Sequence, residues 1–156
     1  MLTFYAGWAS SFGKPERGAE AADRAIRLNP HHLPWHAKQF SYAYFNAGRN
    51  EDALHMLERL TPDQWSRGVL VRRAAVFAGL GQMDEAKAAV TETLKRFSDI
   101  TIQSYVSTPD WRGAERERLI ETMRRAGFPA CATPEAIATL AKPVSLPECP
   151  QPRAGN

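Results

Sequence analysis

Gly13, Gly48 and Gly81 stand 35 and then 33 residues apart, and similar sequence follows each of them. Gly13 leads into Lys-Pro-Glu-Arg-Gly-Ala, Gly48 into Arg-Asn-Glu-Asp-Ala-Leu, and Gly81 into Gln-Met-Asp-Glu-Ala-Lys. A small residue stands at the same place beyond each glycine: Gly18, Ala53 and Ala86. The pattern has a physical reading at every position. A glycine after a helix admits the left-handed conformation that ends it. Carboxylates in the next first turn favour a new helix through its dipole. A small residue lets two helices cross closely. Asn29-Pro30 and Thr61-Pro62 stop the second helix of the first two units, and Phe97-Ser98-Asp99 replaces that stop in the third. A period of about 34 residues marks a helix-turn-helix unit that cannot bury its apolar face alone and stacks on copies of itself.

Residues 34–62 show the unit most clearly. Ala43, Tyr44, Ala47, Ala53, Leu54, Leu57 and Leu60 recur at helical spacing on either side of Gly48-Arg49-Asn50. The spacing predicts helices over 1–12, 15–28, 35–47, 50–60, 66–80 and 83–97, with Pro15 tolerated in a first turn. Residues 98–110 break the period and are expected as an extended crossing segment anchored by Ile100, Ile102 and Tyr105. A seventh helix over 111–125 has Trp111, Leu119, Ile120 and Met123 on one face and charge on the other, as a helix sealing the last repeat would. The helical repeat domain is therefore expected over 1–128. Six of the 11 prolines fall in 129–156, which reads as a disordered tail with at most a turn or two of helix over 134–141.

The net charge of +3 permits an acidic partner without requiring one. No apolar run is long enough to cross a membrane. The apolar stretch 2–12 lacks a basic leader and a small-residue cleavage site, so it reads as the first helix and not as a signal peptide. Cys131 and Cys149 are expected as free thiols in a reducing cytoplasm, although a bridge between them is possible on paper.

The three units resemble tetratricopeptide (TPR) repeats over residues 1–98, with the inter-helix glycine, the small residue and the Asn-Pro exit kept best and the opening tryptophan displaced to Trp35 or absent. The resemblance implies an all-α chain, a right-handed α-solenoid of about three TPR-like helix pairs plus a C-terminal capping helix. A narrower resemblance covers 22–129. The runs AADRAIRLNPHHLPW, AYFNAGRNEDAL, AGLGQMDEAKAAV and RERLIETMRRAGFP look like the C-terminal region of bacterial proteins that join a class III adenylate/guanylate cyclase domain to TPR repeats. Related tails occur behind winged-helix transcriptional activator domains. The cyclase domain is missing, so the resemblance implies a regulatory portion that makes no cyclic nucleotide.

In such an array the first helix of each pair lines the concave surface. The expected groove carries Trp35, Lys38, Tyr42, Phe45 and Asn46, extended by Val71 and Arg72 and preceded by Thr3, Gly7 and Ser10. Aromatic platforms beside cations suit a protein or peptide with an acidic group. The competing reading packs Trp35 and Tyr42 between repeats. His31, His32 and His36 are the one cluster resembling metal ligands, but Pro34 separates them and no cysteine or carboxylate completes a set, so they read as solvated link residues. Arg112, Glu115, Arg116, Glu117 and Arg118 alternate in sign, which suits a solvated helix face better than nucleic acid. There is no phosphate loop, nucleophile elbow or zincin motif, and neither catalysis nor a cofactor is expected. The alternative to partner binding is self-association as a homodimer, through Leu2, Phe4, Tyr5 and Trp8 of an uncapped first helix.

Overall fold

The computed structural model describes residues 1–150, apart from the side chains of Ser10 and Ser11; residues 151–156 of the predicted tail lie outside the described residues. The described chain is helical, with no strand. Helices α1 (Leu2–Trp8) and α2 (Pro15–Leu28), α3 (Pro34–Asn46) and α4 (Asn50–Glu58), and α5 (Arg67–Gly79) and α6 (Met83–Arg96) form successive antiparallel pairs. Each helix packs on the next, and α1, α3 and α5 also touch in succession.

The repeat glycines behave as their position demands. Gly13, Gly48 and Gly81 all have positive φ, at 68°, 75° and 77°. All three turns are closed by matching bonds, the first by Lys14 N donating to Ala9 O at 3.0 Å. Arg49 N donates to Tyr44 O and Gln82 N to Phe77 O, both at 2.9 Å, which satisfies carbonyls the helix ends leave over. Ala53 and Ala86 are fully buried where their helices cross. Gly18 marks a closer approach still: a Cβ there would lie 2.8 Å from the Ala6 carbonyl oxygen.

Three expectations are corrected after residue 97. The crossing segment is not wholly extended, because Thr101 caps a short helix, α7 (Ile102–Val106). Its hydroxyl accepts from Ser104 N at 3.1 Å, and Ser104 Oγ accepts from Thr101 N at 3.1 Å. Ile100 and Ile102 are buried, as their anchoring role requires. Helix α8 (Gly113–Ala126) starts later than the 111 expected, so Trp111 is buried just ahead of it while Leu119, Ile120 and Met123 are buried on its apolar face, and it does more than seal the last pair. It packs chiefly on α5, and Arg118 Nη1 donates to the carbonyl oxygens of Asn46 at 2.6 Å and Phe45 at 3.3 Å, at the end of α3.

Residues 129–150 are not a loose tail. They form a strap that includes α9 (Pro134–Ala138) and buries Leu146 and Cys149. Pro129 O and Ala130 O accept from Ile102 N and Gln103 N, at 2.8 and 3.0 Å. The buried Gln103 side chain holds both limbs of the strap, accepting from Ala132 N at 3.1 Å and donating to Val144 O at 3.0 Å. Cys131 and Cys149 are joined by a disulfide, not free thiols. Composition misled here because the strap's few apolar side chains and one polar hub are enough once α7 provides a surface.

Candidate functional site

The helix pairs bring one side of α1, α3 and α5 to a pocket of about 630 Å³. Gly7 and Trp8 come from α1, Lys38, Gln39 and Tyr42 from α3, and Gly68, Val69 and Arg72 from α5. Tyr105 of α7 and Asp110 and Trp111 behind it form the remaining wall. Trp111 packs against both tyrosines, its ring centroid 5.5 Å from Tyr42 and 6.1 Å from Tyr105.

Arg72 is the cation at the heart of the pocket. Nη1 donates to Lys38 O at 3.2 Å and to Ser41 Oγ at 3.0 Å, and the guanidinium lies 5.0 Å from the Tyr42 ring centroid. Its Nε is buried with no hydrogen-bond partner, and none of the ion pairs among the described residues includes it. Burial lowers its pKa, an effect opposed by the nearby Tyr105 and Tyr42. Burial likewise raises the pKa of both tyrosines, with Arg72 pulling each back, so both stay neutral at physiological pH. Arg67 also lines the pocket, but it is tied to Asp99 at 2.9 Å. The site is thus a cationic, aromatic-walled recess in which the guanidinium meets only neutral acceptors.

Of the residues expected to line the groove, Gly7, Lys38, Tyr42 and Arg72 meet here, and the side chain of Ser10 lies outside the described residues. Phe45 and Val71 are fully buried and Asn46 nearly so, which removes them from any binding surface. The reason is crowding: α3 packs on α1, α2, α4 and α5, and a helix with that many neighbours has little face left over. Trp35 is 40% exposed but sits elsewhere, its ring 5.5 Å from Phe4. Thr3 lies with Met1, His32 and His36 beside a smaller recess. Tyr105, Asp110 and Trp111 join the site, although the spacing marks Tyr105 only as an anchor of the crossing segment and Trp111 only as part of a sealing face. Aromatics in the one stretch that breaks the repeat were the available signal.

Among the described residues no group of three potential ligands comes together. His32 is buried, contrary to the solvated link expected, and stands edge-on to Phe40 at 5.1 Å. Burial holds its pKa below the ordinary 6.5. No described helix is long and apolar enough to cross a membrane.

Comparison with protein-family models, with curated proteins and with solved structures finds no match.

Proposed function

We propose that this chain is a protein-interaction scaffold without chemistry of its own, built as a right-handed solenoid of three TPR-like helix pairs, with its partner seated among the first helices of the pairs. The observation that carries this reading is the convergence of Lys38, Tyr42 and Arg72 from two successive first helices on one recess. The cyclase-type regulatory setting is supported by the sequence resemblance alone. The test is partner capture by the full chain and by Gly68→Leu, a substitution that fills the recess. A partner held by the wild type and lost by the folded variant supports the reading. A partner held equally by both sinks it.

Self-association is the second reading, and one observation favours it. The large exposed apolar side chains all lie within the first 35 residues, among them Phe4, Trp8 and Phe12 at 62%, 63% and 71% exposure. Leu2 is partly buried and contributes less than the sequence suggests. Under this reading the wild type dimerises with rising concentration by sedimentation, and Phe4→Glu with Trp8→Glu leaves a monomer. A wild type that stays monomeric across the accessible range removes it.

The cytoplasmic setting is the part of the proposal that the bridge between Cys131 and Cys149 weakens, since such bonds persist in oxidising compartments. Counting thiols by mass spectrometry, on protein alkylated at harvest, decides the matter. Two alkylated cysteines keep the cytoplasmic reading, and a bridged pair moves it to an oxidising compartment.

A further inference from the structure

We infer that the recess among α1, α3 and α5 binds a small organic acid, a carboxylate carried on a flat apolar group, with Arg72 as its counter-ion. The inference rests on the reading of this recess as the binding site and adds a regulator to it: an acid seated there fills the space a partner's side chain would need.

Charge is the first argument. Arg72 meets a carbonyl, a hydroxyl and an aromatic face but no carboxylate within ion-pairing distance. Asp110 lines the same recess, yet it stands among the neighbours of Tyr42 and Tyr105 and forms no ion pair with Arg72. A partly buried guanidinium whose Nε lacks any partner is left short of an anion, and a planar carboxylate is the group its fork fits best. Lys38 adds a second positive charge at the rim.

Shape is the second. Tyr42, Tyr105 and Trp111 wall the recess with mutually packed rings, which suits a flat apolar body beside the anion. The volume of about 630 Å³ lies within the several hundred Å³ typical of small-molecule sites. The segment that breaks the repeat provides the far wall, so the recess is bounded where an extended peptide would need to continue. Tyr105 also offers a hydroxyl with no hydrogen-bond partner among the described residues, a neutral donor for a second carboxylate oxygen.

The test is calorimetry and ligand-observed NMR on the full chain with benzoate and indole-3-acetate, each paired with its uncharged amide. Both acids are expected to bind, and the amides at least about tenfold more weakly, as befits a charge-assisted hydrogen bond. Arg72→Gln should lose at least about tenfold for the acids and nothing for the amides. Gly68→Leu keeps Arg72 in place and improves helix propensity, and it should abolish binding; a Cβ at Gly68 meets only Tyr105 Oη, at 3.5 Å. If Arg72→Gln does not fold, the acid-to-amide ratio and the Gly68→Leu result carry the decision. The inference is overturned if neither acid binds at millimolar concentration, if the amides bind as well as the acids, or if Gly68→Leu binds normally. No partner protein enters this test, so its failure leaves the scaffold reading to stand or fall on partner capture.

Discussion

Arg49 shows what one side chain does in the turn of a repeat. It donates from Nη1 and Nη2 to the Asp23 carboxylate at 2.7 and 3.1 Å and from Nε to Asp52 at 2.7 Å, with its guanidinium 4.6 Å from the Tyr44 ring centroid. The Tyr44 hydroxyl donates to the same Asp23 carboxylate at 2.7 Å. Burial opposes the charge on Asp23, but the bonds from Arg49 and Tyr44 outweigh it and hold the pKa below the ordinary 3.8. A depressed carboxylate pKa contributes stability that is complete above 3.8 and is lost as pH falls through the lower folded value. Asp23→Asn is therefore expected to cost about 1 kcal/mol at neutral pH, after discounting for solvent screening, and little in strong acid. Urea denaturation at pH 7 and below pH 3 checks both halves. An equal loss at both pH values would assign the effect to packing.

Two glycines with the same composition-level meaning separate when their elements are considered. Gly18 lies where α2 crosses α1, and Gly68 opens α5 beside the recess. Gly18→Ala is expected to force α1 off α2 and destabilise the fold by about 1–3 kcal/mol. Gly68→Ala should be neutral or stabilising by a few tenths of a kcal/mol, through helix propensity. Thermal denaturation of the two variants together provides the comparison, and equal effects would contradict the close approach at Gly18. The strap is an element of a different kind, ordered by α7 and closed by a bridge spanning 18 residues. Loop-closure entropy for such a span is about 3 kcal/mol, so Cys131→Ser with Cys149→Ser should lower Tm by roughly 6–12 °C. Amide exchange should quicken at Ile102 and Gln103, whose NH groups bond the strap. An unchanged Tm and unchanged exchange would mean the strap holds without its bridge.

Across the whole molecule, α8 decides whether the pairs behave as a chain of units or as one body. A plain stack would let each pair respond only to its neighbours. Here Arg118 links α8 to the end of α3, and Trp111 packs on Tyr42, so the C-terminal region reaches back past the third pair to the second. Arg118→Ala should cost about 1–2 kcal/mol, from two carbonyls losing a charged donor. It should also broaden the unfolding transition, with α8 exchanging its amides before α3. A single sharp transition with uniform protection would show that packing on α5 alone suffices. The same backward reach builds the recess, since its far wall comes from residues that follow the repeats.

The sequence by itself determined the helical class, the six repeat helices and their turns, because glycine, small-residue and apolar spacing act within one unit and recur. It placed Lys38, Tyr42 and Arg72 on the first helices near the recess, but the same periodicity placed Trp35, Phe45, Asn46 and Val71 there too. Only the tertiary structure decided that Phe45, Asn46 and Val71 are buried, that Tyr105 and Trp111 complete the wall, and that residues 129–150 are ordered. Each depends on contacts between segments distant along the chain, made only after folding, and such contacts leave no local period to read.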